Sequence, residues 1–235
     1  MIKRITFCTR GAAVATDVFE TSWRQLAAVG LTAPEAARPL RVAVGTALPD
    51  ICEDRPHDGV RLEWFADEHH FGRFESWTSS TEGSVEASDD AVKACTAILA
   101  EELVLRGHDW VTEYWRRPRT VYMHMAVARR AKGLSPGDFS ARWKGRAGVV
   151  HGPGEARTPI PAAVRGLAYV QNHPRPLEAG EWAYDAVNEV YFEDRQGLRT
   201  RVEWFAEHLG DAPDGDLIGE HGFVAIRQEV LGPGS

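Results

Sequence analysis

A repeat at a spacing of 120 residues constrains this chain more than any other feature of its sequence. Chance matching over some thirty positions at average residue usage would give about two identities. Here the shift aligns eight identical pairs, namely Arg10/Arg130, Phe19/Phe139, Trp23/Trp143, Ala27/Ala147, Val29/Val149, Glu35/Glu155, Ala36/Ala156 and Pro39/Pro159. When the shift between the copies is increased by seven residues, the match resumes at Asp58/Asp185, Val60/Val187, Phe65/Phe192 and Asp67/Asp194. Self-similarity of this length predicts the duplication of a whole domain.

Hydropathy periods predict the same order of elements in both copies, βαββαβ. In the first copy we predict strands at 2–9, 40–48, 60–65 and 110–115, and helices that begin at residue 16 or 17 and that span 68–77 and 88–106. In the second we predict strands at 121–128, 167–172, 187–192 and 223–230, and helices from residue 135 and over 198–208. Ser135 followed by Pro136 is typical of a helix N-cap and first helical position, so this helix start is well defined.

This order of elements is the ferredoxin-like unit, an antiparallel sheet with both helices on one face. The other face of each sheet needs a cover, and two units can cover each other sheet against sheet. We therefore predict an α+β fold with two domains, 1–118 and 119–235, fused into a barrel. The space between the two sheets is the predicted pocket.

Composition excludes several classes of partner. The net charge is −7 and no basic stripe is present, so we expect no nucleic-acid or anionic-membrane surface. Three scattered cysteines, Cys8, Cys52 and Cys95, indicate neither a disulfide framework nor a CxxC metal site. No run approaches eighteen apolar residues, and we expect an unsecreted protein of the reducing cytoplasm.

Three segments of the second copy resemble a known family. These are the Phe139-x-x-x-Trp143 motif ahead of His-Gly-Pro at 151–153, the run Tyr-Val-Gln-Asn-His at 169–173, and Tyr-Asp-Ala-Val-Asn-Glu-Val-Tyr-Phe at 184–192. They resemble the EthD-like branch of the dimeric α+β barrel superfamily. The resemblance implies a barrel of two ferredoxin-like units, and its relatives include polyketide cyclases, decarboxylases, dehydratases, lactone isomerases and cofactor-independent oxygenases.

The first copy is expected to be degenerate as a site. Leu31 stands at the position that corresponds to His151, and Leu62 at the position that corresponds to Glu189. Polar chemistry should therefore concentrate in the second copy.

Strand alternation supplies the predicted catalytic residues. Met123, Met125 and Val127 form the apolar set of their strand and should meet the helices, which would turn His124 into the barrel interior. Glu189 is assigned to the interior by the same alternation. A carboxylate beside an imidazole raises its basicity, so we predict a His124–Glu189 pair that moves a proton.

A second group of side chains is predicted to complete the site. His151 is a further catalytic candidate because of its place at the end of a predicted helix. Candidates for substrate binding are Tyr122, Tyr169, His173, Tyr191 and Arg4. Each also has a purely structural alternative, since buried ionisable groups need partners and aromatic residues at strand spacing often belong to the core.

Neither a metal nor a cofactor is predicted. His69 and His70 are adjacent and would diverge by about 100° on a helix, and no GxGxxG, HExxH or P-loop motif occurs. Haem bound through a histidine is an alternative that the sequence leaves open.

We predict a cofactor-independent acid/base enzyme for a small apolar or aromatic carbonyl compound, which it would cyclise, dehydrate or isomerise. Two alternatives are a cofactor-independent oxygenase of a phenolic substrate and a non-catalytic carrier or accessory protein. The expected assembly is a monomeric fused barrel or a homodimer.

Overall fold

A computed structural model describes residues 1–80, 91–117, 119–145, 149–151, 157–177, 180–209 and 216–232. Within these ranges the strands are β1 (Ile2–Arg10), β2 (Arg41–Ala47), β3 (Gly59–Phe65), β4 (Val92–Arg106), β5 (Val121–Arg130), β6 (Val149–His151), β7 (Arg157–Pro159), β8 (Ala168–Pro174), β9 (Ala186–Phe192) and β10 (Ile218–Val230). The helices are α1 (Thr16–Val29), α2 (Glu68–Thr78), α3 (His108–Arg116), α4 (Pro136–Lys144) and α5 (Arg195–His208). None of the described helices is long and apolar enough to cross a membrane.

Eight strands close into an antiparallel barrel in the order β1-β3-β2-β10-β5-β9-β8-β4, with β4 returning to β1. Strands β4-β1-β3-β2 come from the first half and β10-β5-β9-β8 from the second, so each half contributes a sheet with the ferredoxin-like order. Two seams, β2 with β10 and β4 with β8, join the halves. Strands β6 and β7 form a separate hairpin.

The pairing registers of the two halves agree with the offsets seen in the sequence. Ile2 pairs with Phe65 in the first half, and Tyr122 pairs with Phe192 in the second, which are the same positions shifted by 120 and 127. Asp58 accepts the Arg10 N–H, and Asp185 accepts the Arg130 N–H, both at 2.9 Å. Arg10 and Arg130 therefore make the same contact in the two halves, while the superposition of 1–118 on 119–235 about a pseudo-twofold axis stays a prediction.

Two predicted elements at the end of the first half are wrong. Residues 88–106 were predicted as a helix, but Val92–Arg106 is strand β4; residues 110–115 were predicted as a strand, but they lie in helix α3. An apolar run of this length fits both periods, and pairing with β1 and β8 on its two sides decides for the strand. Gly107 (φ 79°) then turns the chain sharply into α3, and any Cβ there would lie 2.4 Å from the Leu167 carbonyl oxygen.

Helix starts follow the sequence signals in the second half more closely than in the first. The Ser135 side chain accepts the Asp138 N–H with Pro136 in the first turn, as predicted. Helix α1 instead begins at Thr16 after Ala15, without a side-chain cap. The predicted helix that would reach His151 ends at Lys144, and His151 lies in β6 rather than at a helix end.

The barrel interior is lined mostly by buried apolar side chains. They include Ile5, Phe7, Leu62, Met123, Met125, Val127, Tyr191 and Ile226. Helices α1 and α4 lie on the outside of the sheets, with Phe19 and Trp23 of α1 against one half and Phe139 of α4 against the other. Helix α3 instead packs Tyr114 and Trp115 into the barrel core.

Candidate functional site

Glu189 lies inside the barrel, as predicted, at the centre of a closed polar cluster. The Lys3 ammonium donates to both Glu189 oxygens at 2.6 and 2.8 Å and to Glu102 at 2.9 Å. Asn172 and the Tyr191 hydroxyl donate to Glu189 at 2.8 and 2.5 Å. Burial lowers the pKa of Lys3, but the two carboxylates outweigh it and the pKa is raised.

The carboxylate of Glu189 has its hydrogen bonds filled by residues of this cluster. Lys3 and Glu189 are both fully buried, and each carboxylate oxygen of Glu189 already accepts two hydrogen bonds. Burial and the neighbouring Glu189 raise the pKa of Tyr191 well above 10, so its hydroxyl stays protonated as a donor. The cluster leaves no lone pair of Glu189 free for a substrate.

The predicted pairing of His124 with Glu189 is wrong, because the two side chains lie on opposite faces of the sheet. His124 pairs across the strands with Val190, whereas Glu189 pairs with Met125. Met123 and Met125 belong to the barrel core, so His124 points outward to helix α5. The prediction failed because it assigned the apolar set of β5 to the helices, while the closed barrel interior is the more apolar of the two environments.

On the outer face, His124 accepts a hydrogen bond from an arginine of α5. The Arg201 Nε donates to His124 Nδ1 at 3.0 Å, and Nη1 donates to the Val164 carbonyl at 2.7 Å. Because guanidinium groups only donate, Nδ1 must be the acceptor and the ring proton sits on Nε2. Burial, and then Arg201, lower the pKa of His124 well below 6.5. His124 is therefore neutral in this arrangement and presents an N–H at Nε2, and its predicted role as a base stays a prediction.

Arg201 is a buried cation without a counter-anion among the described residues. Its exposed fraction is 6%, and no carboxylate of the described chain lies within ion-pair distance of it. Its guanidinium lies over the Phe205 ring at 4.4 Å. Burial lowers the pKa of Arg201 to about 9, which still leaves it charged at pH 7. A desolvated, unpaired positive charge favours an anionic ligand.

A row of polar side chains on β8 extends from this arginine towards α4. Gln171 Nε2 donates to the Tyr169 hydroxyl oxygen at 3.0 Å, and Gln171 Oε1 lies 3.2 Å from His173 Nε2. His173 Nδ1 lies 3.0 Å from the Ser140 hydroxyl. Burial, assisted by Lys144, lowers the pKa of His173 to about 4, so it is neutral at pH 7. The row is a neutral hydrogen-bonding surface with the charge of Arg201 at one end.

Part of this outer face of the sheet is accessible to solvent. Ala126 and Asn188 are paired residues at the middle of the sheet, and Phe223 pairs with Ala126 from the other side. All three keep partial solvent exposure. Trp143 of α4 donates to Asn188 Oδ1 at 3.2 Å. We call this space, floored by Ala126 and Asn188 and flanked by Arg201, Tyr169 and Gln171, the outer cleft.

The other predicted residues divide between core, surface and undescribed positions. Tyr191 lies in the barrel core and Tyr122 packs on the outer cluster around Phe192. Arg4 is bound to Glu63 at 2.7 Å in a structural ion pair of the first half. The backbone of His151 lies in β6, and its side chain lies outside the described residues. Tyr169 and His173 alone among the substrate-binding candidates line the outer cleft.

Sequence analysis missed Arg201 and Gln171. A signal for Arg201 was present, because Leu198, Val202 and Phe205 mark an inward stripe at helical spacing and residue 201 falls inside it. An arginine within an apolar helical stripe indicates a buried charge with a specific partner. Among the described residues, no three His, Cys, Asp or Glu side chains come together in a way that could hold a metal ion.

Comparison with solved structures identifies the fold. An anthrone oxidase-like protein matches 100% of this chain and 94% of its own with a TM-score of 0.58 at 12% identity. A proposed monooxygenase from Fusobacterium nucleatum matches 100% of this chain and 95% of its own with a TM-score of 0.52 at 8% identity. At these identities the likeness establishes a shared α+β barrel of ferredoxin-like type and nothing about the reaction.

No protein-family model and no curated protein sequence matches the chain. Membership of the EthD-like branch therefore stays a prediction from the three motifs of the second half.

Proposed function

We propose that this protein oxidises a small phenolic aromatic compound with dioxygen and binds that compound as its anion in the outer cleft. The buried and unpaired charge of Arg201 is the observation that carries the proposal. A phenol or the enol of an aromatic ketone has an ordinary pKa near that of tyrosine, about 10, and a desolvated guanidinium favours its deprotonated form. The structural neighbours that are named for oxygenase chemistry support the choice of reaction class.

Neutral groups around Arg201 suit an aromatic anion better than a hydrated one. The His124 ring is stacked with Phe223 at 4.9 Å between centroids and lies edge-on to Phe205. His124 offers its Nε2 proton as a donor, and no partner for that proton lies among the described residues. Tyr169, Gln171 and Asn188 offer hydroxyl and amide groups on the opposite flank. Together these side chains provide one charge, several donors and flat apolar walls for a ring system.

The proposed reaction balances without a further reductant. A methylene flanked by aryl rings and activated by a phenol or ketone loses one proton to solvent, and the resulting anion is held by Arg201. The anion passes an electron pair to dioxygen, a C–O bond forms, and protonation gives a hydroperoxide. The O–O bond then breaks with loss of water, so that CH₂ and O₂ give C=O and H₂O. The chain itself stabilises the anion, which is electrostatic catalysis.

Oxygen uptake tests this proposal. The purified full chain is mixed with a hydroxylated anthrone in an oxygen electrode, and quinone absorbance is followed in parallel. We expect uptake of one dioxygen per quinone above the spontaneous rate. The matched control is Arg24→Met, which removes an exposed ion pair with Glu229 far from the outer cleft and should keep the full rate.

Two other outcomes would contradict the oxygenase proposal in distinct ways. Conversion of an enolisable aromatic ketone without oxygen uptake would instead support the predicted cyclisation, dehydration or isomerisation, which begins with the same anion. Tight binding of a phenolic compound without any conversion would support a carrier.

A further inference from the structure

Two cysteines that are far apart in the sequence are neighbours on adjacent strands of the barrel. Cys8 of β1 and Cys95 of β4 are directly paired residues of an antiparallel ladder. Because the two cysteines are distant in the chain, no sequence pattern indicates that they are neighbours in the fold. The third cysteine, Cys52, lies elsewhere, with its thiol 3.5 Å from the Phe223 carbonyl oxygen. All three are free thiols.

The hydrogen-bond pattern of the ladder brings the two side chains close together. The Cys8 carbonyl accepts the Asp58 N–H at 2.9 Å, so the backbone polar groups of Cys8 point towards β3 and away from β4. Cys8 and Cys95 therefore form a non-hydrogen-bonded pair, whose Cα atoms are about 4.5 Å apart in antiparallel sheets. Disulfides span Cα separations of about 4.4 to 6.8 Å, so a bond forms here without moving either strand.

The two thiols also differ in the way that a reactive pair requires. Cys95 is exposed, whereas Cys8 is buried beneath α1 next to Trp23. The hydrogen bond from Cys8, with a contribution from the positive charge of Arg61, lowers the pKa of Cys95 to about 7. Burial raises the pKa of Cys8, which keeps its proton and serves as the donor. A lowered pKa with solvent access is typical of a thiol that reacts first.

We propose that Cys8 and Cys95 form an oxidation site at which a hydroperoxide closes a reversible cross-strand disulfide. The Cys95 thiolate attacks the terminal oxygen of the hydroperoxide, the O–O bond breaks, and the products are a sulfenic acid at Cys95 and an alkoxide, which is hydroxide when the oxidant is hydrogen peroxide. The Cys8 sulfur then attacks the sulfenic sulfur, the S–S bond forms, and water leaves with the Cys8 proton. Each disulfide consumes one peroxide.

Peptide mapping of the folded full chain after hydrogen peroxide treatment tests this site. Free thiols are alkylated and the chain is cut with trypsin without reduction. We expect peptides 5–10 and 94–106 to be linked, two of the three thiols to be lost, and peptide 42–61, which contains Cys52 and the uncut Arg55–Pro56 bond, to be alkylated. Dithiothreitol should restore all three thiols.

Variants separate the paired reaction from independent oxidation. Cys52→Ser should leave the link unchanged, and Cys95→Ser, at an exposed position that tolerates the change, should leave Cys8 unmodified. Cys8→Ala should drive Cys95 to sulfinic and sulfonic acids because no second thiol captures the sulfenic acid. Three unreacted thiols, a link that includes Cys52, or a link between two chains would overturn the proposal. None of these outcomes depends on the function of the outer cleft.

Discussion

The outer face of each sheet carries an arginine with little solvent exposure, and the two faces differ in the groups that surround its charge. In the first half, Arg4 of β1 is neutralised by Glu63 at 2.7 Å and covered by Phe74 of α2 at 4.9 Å. The shifts of 120 and 127 place His124, Val190 and Arg201 at the equivalent positions of the second half. There the arginine stands on the helix and the carboxylate is absent.

The side chains of a neighbouring strand on the same face, β2 in the first half and β8 in the second, also differ between the halves. Val42, Val44 and Thr46 of β2 correspond to Tyr169, Gln171 and His173 of β8 by register. One face therefore carries a buried carboxylate that Arg4 and Arg61 share, and the other carries a cation with no carboxylate partner among the described residues. Charges that are paired within the chain need no ligand, whereas an unpaired buried charge costs stability and is retained where a ligand supplies the counter-charge.

The largest expected effect comes from removing the unpaired cation. Arg201→Met should lower turnover of the phenolic substrate by about 10³-fold, because a buried donor to a developing anion contributes on that scale. The free energy of unfolding should change little, since relief of a desolvated charge offsets the loss of the hydrogen bonds to His124 and the Val164 carbonyl. Oxygen uptake and urea denaturation measure the two quantities.

Arg4→Met is the matched variant in the first half. It leaves Glu63 buried without a partner cation of equal quality, so the unfolding free energy should fall by about 3 kcal/mol while turnover per folded molecule is retained. If Arg201→Met unfolds the chain and Arg4→Met abolishes turnover, the roles assigned to the two faces are reversed.

A second comparison lies inside the barrel, where Lys3 and Glu189 correspond to Met123 and Leu62 of the other half. Glu189→Leu should cost about 3 kcal/mol of unfolding free energy, because the hydrogen-bond partners of its carboxylate, Asn172 and Tyr191 among them, are left unpaired. Chemical denaturation followed by circular dichroism checks the value.

The double variant Lys3→Met with Glu189→Leu installs the residues of the opposite half at both positions. It should be less stable than Glu189→Leu alone, because Lys3 keeps Glu102 as its counter-charge in the single variant and its removal leaves that carboxylate without its cation. A double variant as stable as Glu189→Leu would show that the Lys3–Glu102 pair carries no net stability.

The smallest expected effect comes from giving the second half the carboxylate that the first half has. Val190→Glu places a carboxylate beside His124 in the position of Glu63, where it should pair with Arg201 and exclude the substrate anion. Turnover should fall by about 10²-fold, since one charge interaction is lost to an internal partner. Steady-state oxygen uptake measures it.

Val190→Gln is the isosteric control without charge, and it should keep most of the activity that Val190→Glu loses. Equal losses in the two variants would mean that shape at position 190, and not charge, controls the outer cleft.

The sequence by itself determined the places of β5, α4, β8, β9, α5 and β10 in the second half, the start of α4 at Ser135, and the matching contacts of Asp58 and Asp185. These features are local: an N-cap, a period of two or 3.6 residues, and an aspartate that binds a backbone N–H are all fixed within a few residues of chain. The assignment of Glu189 and Tyr191 to the barrel interior also followed from alternation.

Tertiary structure alone decided which face of β5 looks inward. Alternation separates Met123 and Met125 from His124, but closure of eight strands is what makes the interior the most apolar environment and turns His124 outward. The same closure made Val92–Arg106 a strand and brought Cys8 against Cys95. Pairing between distant segments is a property of the whole barrel, and it cannot be predicted from the hydropathy of one segment.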